Sequence, residues 1–190
     1  MATKGHSISN SKTGERITWI ETAGDSNGKR LVFDFTVSPN GKLPVTHFHP
    51  NQAETFEVKS GEFTIKLGKE TRQLKAGDKL TIDKGIPHQW WNPSATVPAA
   101  MVVTFEPALN TETFLEQFFG LGNDNKTKPD GTPSFLQIMA MVNEYEIYVA
   151  GPPLPIQRAM GFLIGGIARV LGYKKYYRQY SEGCAVARNK

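Results

Sequence analysis

One cysteine, Cys184, occurs in 190 residues, which excludes an internal disulfide and fits a reducing compartment. Set among small residues near the C-terminus, it reads as a bystander rather than a nucleophile. No early stretch joins a basic flank to an apolar run, so a secretory signal is not expected and a cytoplasmic location is. Long hydrophobic runs are missing too. The most apolar stretch, Met160 to Ala168, is bracketed by Arg158 and Arg169, well short of the roughly 20 residues that a bilayer span needs. No membrane span is expected. Histidine is equally scarce: the chain has four, and three of them, His47, His49 and His88, fall in two short stretches. The fourth, His6, lies in a polar segment and is expected to be solvated.

What is present is ordinary for one globular domain with an extension: 39% hydrophobic and 21% charged residues, enough to bury a substantial core. The first of the two stretches runs from Gly41 through His47-Phe48-His49 and Glu54 to Gly61. In a strand, residues i and i+2 share a face, so His47 and His49 point one way and Phe48 the other. Pro50, Asn51 and Gln52 let the chain turn before a second strand carries Glu54 back. Two imidazoles and a carboxylate arriving from adjacent strands suit Fe(II), Mn, Ni or Zn. The second stretch, Gly77 to Asn92, reads as a strand, a turn at Gly85-Ile86-Pro87, and a strand opening near His88.

These stretches resemble the two motifs of the cupin superfamily. Gly41, His47, His49, Glu54 and Gly61 fit the first at every fixed position, and Gly77, Gly85, His88 and Asn92 fit the second. Asp83 stands where the family has a proline, a change that bears on loop geometry rather than on the ligands. The resemblance implies a mainly β fold, a double-stranded β-helix or jelly-roll barrel. It also implies one divalent transition ion held by His47, His49, Glu54 and His88.

The flanking sequence agrees with a barrel. Ile17 and Trp19, then Leu31, Phe33, Phe35 and Val37, then Phe63, Ile65 and Leu67 alternate with polar neighbours, separated by turn signals. Ala99 to Phe105 makes a closing strand. The division expected is a polar N-terminal segment at 1–14, a barrel at 15–108 and a helical extension at 109–190. In the extension, Asn110 is a candidate N-cap, with Gly120 or Gly122 ending the first helix. Thr132-Pro133 opens a second helix, with proline at its first position. A third runs from near Pro155 to Leu171. Apolar faces carrying Phe114, Phe118, Ile138, Val142, Leu163 and Ile167 require cover from the barrel or a partner chain, and a homodimer is expected.

Residues 151–190 hold seven Lys/Arg against one Glu, and interleave Lys174, Lys175 and Arg178 with Tyr173, Tyr176, Tyr177 and Tyr180. No nucleic-acid motif accompanies that pattern, so a solvated helix face with a tyrosine edge is the reading, without nucleic acid. Three His and one Glu leave coordination positions open, the mark of a catalytic rather than a structural site. Two functions fit. One is a metal-dependent dioxygenase on a small, oxygen-bearing organic substrate, with Glu54 a ligand able to detach as a base. The other is a non-catalytic module binding a small molecule or metal, with the tail engaging a partner. Gln52, Phe56, Gln89 and Trp90 are the pocket candidates, Trp90 because it shares the parity of His88.

Overall fold

The computed structural model describes residues 2–181, so Cys184 lies outside the described residues. Two antiparallel sheets face each other across one core. Strands β1 (Ser7–Ser9), β2 (Arg16–Glu21), β3 (Leu31–Val37), β4 (His47–Phe48), β5 (Ala53–Ser60), β6 (Glu62–Leu67) and β7 (Glu70–Lys75) come first. They are followed by β8 (Lys79–Ile82), β9 (His88–Trp91) and β10 (Ala99–Glu106). One sheet has the order β1-β2-β3-β10-β5-β8. The other is β11-β4-β9-β6-β7, where β11 (Tyr148–Val149) comes from the C-terminal extension.

Period-two patterning produces the packing. In β3, Leu31, Phe33, Phe35 and Val37 are buried while Asp34 is exposed. Ala99, Met101, Val103 and Phe105 of β10 do the same beside them, paired residue for residue with β3. Phe63 and Ile65 complete the core from the opposite sheet. The last glycine of the first motif has a steric cause. Gly61 turns β5 into β6 with φ of +75°, and a Cβ there would stand 2.6 Å from the carbonyl oxygen of Pro98.

Three helices follow: α1 (Thr111–Asn123), α2 (Phe135–Tyr145) and α3 (Leu154–Val170). Their boundaries correct several expectations. Asn110 occupies the N-cap position of α1, but its side chain makes no cap bond and donates to the carbonyl of Glu144 instead. Helix α1 continues through Gly120 and Gly122, and Gly120 is a contact point where the Tyr180 ring lies against the helix. Helix α2 starts after Pro133, with Ser134 as its cap, the hydroxyl accepting from the backbone N–H of Gln137. Glu146 then takes a left-handed conformation, with φ of 52°, and Tyr148–Val149 leaves the helical pattern to pair with Phe48 and His47. Two residues are too few for a period to register.

Helix α3 packs on α2 through its small residues, since a Cβ at Gly161 would meet Val142 and Asn143, and one at Gly165 the backbone of Met139. Its other face is not covered by the described residues: Phe162, Leu163, Ile167 and Val170 are 73%, 64%, 60% and 89% exposed. Leu163 and Ile167 therefore do not pack on the barrel, whereas Phe118 packs against its core. Phe114 packs with Leu121, Met141 and Tyr145 within the extension, and Ile138 and Val142 join Met139, Tyr148 and Phe48. The tyrosine-rich segment folds back on α1 and α2. Tyr177 donates its backbone N–H to Gln117 Oε1 at 2.6 Å and its hydroxyl to Gln137, while Lys175 pairs with Glu144. Among the described residues, no helix is long and apolar enough to cross a membrane.

Candidate metal centre

Three local devices bring the histidines and the carboxylate together. Residues His47 on β4 and His88 on β9 are direct cross-strand partners, so their rings share one face with centroids 4.2 Å apart. His49 lies one step past the end of β4, and its carbonyl accepts from the backbone N–H of Gly85, tying the first motif to the turn of the second. Glu54 sits on β5 of the facing sheet, opposite Ile82 and Phe105. Sequence parity predicted that His47 and His49 share a face; the β4–β9 pairing adds His88, and the facing sheet supplies the carboxylate.

The result is a buried cluster in which His47, His49, Glu54 and His88 each offer a ligand atom within 4.8 Å of the others. His49 Nε2 lies 3.2 Å from His47 Nε2 and 3.7 Å from Glu54 Oε2, and His88 Nε2 lies 2.9 Å from the same oxygen. Ligand atoms about 2.1 Å from a common ion, at right angles to one another, stand about 3.0 Å apart, so the spacing fits a cation. Hydrogen bonding supports that fit. Glu54 Oε2 and His88 Nε2 are buried and close, yet their angle leaves neither with a hydrogen bond. At the other side of its ring, His88 Nδ1 donates to the carbonyl of Ile86 at 2.9 Å, which leaves the Nε2 lone pair for a metal.

Electrostatics divide the three rings. Burial holds His47 well below the usual imidazole range, and the neighbouring His88 and His49 add to it. Burial likewise takes His49 down to about 4 against the pull of Glu54. Burial also lowers His88, but contact with Glu54 outweighs it and leaves that ring above its ordinary value. Neutral imidazoles at 47 and 49 are the form that ligates.

A cavity of about 200 Å³ opens from this cluster. His47, His49 and Glu54 reach its wall, while His88, 1% exposed, completes the cluster from behind. Phe56 and Trp90 line it, as do Phe33, Phe35 and Phe105 from the barrel. Helices α1 and α2 close the mouth with Phe114, Phe118, Met141 and Tyr145. Gln52 and Gln89 lie outside the lining. Gln52 instead ties the barrel to α1, donating to the carbonyls of Pro107 and Ala108 and exchanging hydrogen bonds with the Thr111 hydroxyl. Gln89 donates to the carbonyl of Leu43 and accepts from Thr46. Asn92 is a brace: its amide donates to the carbonyls of Val37, Ser38 and Val97, and its oxygen accepts from Ser94. His6 is half-buried against β2 rather than solvated, its carbonyl accepting from Trp19.

One cavity residue escaped the sequence reading. Glu15 is buried in the same wall, beside Ile17. It has the parity of Ile17 and Trp19, which is the signal that could have found it, but a charge just before a strand reads as solvent-facing. Burial pushes its carboxyl up to about 7, and only a hydrogen bond from Thr13 draws it back. The folded chain thus holds this proton more tightly than the unfolded chain, where the group titrates near 4.5. Between those values the unfolded state binds fewer protons, so this stabilising contribution is full below pH 4.5 and lost as pH rises to about 7. Glu15→Gln should therefore remove a downward slope worth roughly 3 kcal/mol at about 1.36 kcal/mol per pH unit. Urea midpoints of both proteins from pH 4.5 to 8 check this; parallel curves would contradict the burial of a charge-bearing Glu15.

Comparison with known proteins agrees with this geometry. The cupin-domain family model matches residues 33–105, the stretch that contains all four cluster residues. An oxidoreductase of Arthrobotrys oligospora is 26% identical over 156 residues, covering 75% of this chain and 61% of its own. A protein of Aspergillus clavatus named "probable oxidoreductase patJ" is 25% identical over 152 residues, covering 74% of this chain and 47% of its own. The chain thus spans about half to three-fifths of the length of these relatives. Among solved structures, an RmlC-like cupin from Shewanella frigidimarina is 18% identical, with a TM-score of 0.47 over 55% of this chain and 86% of that one. With both motifs in register and the family model matching the strands that carry them, residues 33–105 form a cupin domain.

Proposed function

We propose that His47, His49, Glu54 and His88 hold one divalent transition ion, Fe, Mn, Ni or Zn. We read the protein as a metal-dependent dioxygenase acting on a small, largely apolar, oxygen-bearing substrate. The observation that carries this reading is the convergence of three imidazole nitrogens and one carboxylate oxygen at the wall of a buried apolar cavity. When bound, such an ion supplies Lewis acidity toward a substrate oxygen and a place for dioxygen beside it. The chain's own residues do the rest. Phe56, Trp90 and Phe105 exclude water from the wall, which strengthens every charge interaction inside. Glu54 is the cluster's one carboxyl group and its candidate base. The relatives' names agree in reaction class, and at a quarter identity over part of their length they add support rather than a substrate.

The test is oxygen uptake. Protein loaded in turn with Fe(II), Mn(II), Ni(II) and Zn(II) is mixed with a panel of 1,3-diketones and flavonols and followed by oxygen electrode. Uptake matched to substrate loss is the expected result with a redox-active ion. No uptake with any ion across the panel would leave the cavity as a binding module. For assembly we propose a homodimer, supported by the apolar row of Phe162, Leu163, Ile167 and Val170 that none of the described residues covers. A monomer mass by light scattering at micromolar concentration would remove that part.

A further inference from the structure

The cavity holds two carboxylates, and they stand at opposite ends of it. Glu54 pairs with Phe105, which pairs with Leu31 at the start of β3. Arg16 pairs with Thr36, so Glu15 lies level with Val37 at the far end of the same strand. Leu31 to Val37 is six residue steps, ~20 Å of strand at about 3.3 Å per residue. Between the two ends the side of the wall formed by β2, β3 and β10 is Ile17, Phe33, Phe35, Val103 and Phe105, all apolar, while Thr111, Tyr145 and Tyr148 line it from the extension. The extension closes the Glu15 end as well: Thr132 and Pro133 line the cavity, and the preceding Gly131 lies against Thr13.

Nothing in the packing calls for an acid at position 15. Its face-sharing neighbours Ile17 and Trp19 are apolar and fully buried, and an apolar side chain would continue their row. One hydrogen bond from Thr13 Oγ1 to Oε2, at 2.9 Å, is a weak return for burying a carboxyl in such a wall.

We propose that Glu15 is a second recognition point of the cavity, and that its ligand is an elongated, largely apolar molecule with a metal-binding oxygen at one end and a hydroxyl at the other. This rests on the metal reading above. A hydroxyl suits Glu15 in either protonation state, donating to the carboxylate or accepting from the acid. An acid poised near neutrality, as burial leaves it, meets such a group in both forms.

The test uses the full chain loaded with Zn(II), which binds ligands without redox chemistry. Straight-chain alkanehydroxamates of about six to twelve carbons are compared by calorimetry with their ω-hydroxy counterparts; the hydroxamate is the metal-binding end. In wild type, the terminal hydroxyl should improve affinity about 5- to 10-fold, the range of one well-placed hydrogen bond, at one chain length and not at shorter or longer ones. Glu15→Leu should abolish that preference while keeping affinity for the plain series, and Glu15→Gln should keep part of it. Plain hydroxamates that bind with no preference for the ω-hydroxyl at any length overturn the role of Glu15 alone. A preference that survives in Glu15→Leu does the same. Absence of binding by both series, with zinc content verified, overturns the metal-anchored reading and this inference with it.

Discussion

His88→Ala should take the protein from about one divalent ion per chain to less than a tenth of that, measured by elemental analysis after purification without chelator. The imidazole is the most deeply buried member of the cluster, and its Nδ1 bond to Ile86 holds Nε2 toward the others. Alanine removes one ligand of four and leaves Glu54 facing a void. Even loss of an outer hydrogen bond to a ligand commonly costs 10- to 100-fold in metal affinity, so loss of the ligand itself should cost at least as much. His47→Ala should behave alike, because His47 is the cross-strand partner of His88 and the two ring centroids lie 4.2 Å apart. His6→Ala, distant in the fold, should keep full content. Equal metal in all three variants would remove the site.

A chain ending at Pro107 should fail to give stable protein. The cut deletes Ala108 and Thr111, which anchor Gln52, and the strand Tyr148–Val149, which pairs with the strand carrying His47. It also unroofs the cavity, exposing Phe33, Phe35 and Phe105 where Phe114, Phe118 and Phe119 had covered them. Burial of one large apolar side chain is worth about 1.5–3 kcal/mol, and a domain's whole stability is about 5–15 kcal/mol. Several such losses at once should exhaust it. Aggregation on expression, or a melting temperature lower by more than about 10 °C, is the expected outcome. A truncated chain that melts where the full one does would show the extension to be an independent appendage.

The barrel and its ligands were legible because both follow from short-range rules. Alternation in β3 and β10 places Phe33 and Val103 inward with no knowledge of their partners, and the i, i+2 rule puts His47 and His49 on one face. The glycine that ends the first motif is dictated locally too, by a left-handed turn. The four residues of the cluster were therefore readable as a set, although the facing of Glu54 toward the histidines depends on the sheets closing over each other. What the extension does was not readable. Its helices announce apolar faces, but the same faces pack over a barrel mouth at Phe118 and stand in solvent at Leu163, and periodicity carries no information about which surface meets which. Gln52 and Gln89 looked like pocket residues because they flank the ligands in sequence, yet the buried backbone carbonyls near them claim their amides. Glu15 went unseen for the opposite reason. A carboxyl one residue ahead of a strand is ordinarily at the surface, and only the loop around Gly131, arriving from more than a hundred residues away, closes the cavity wall beside it.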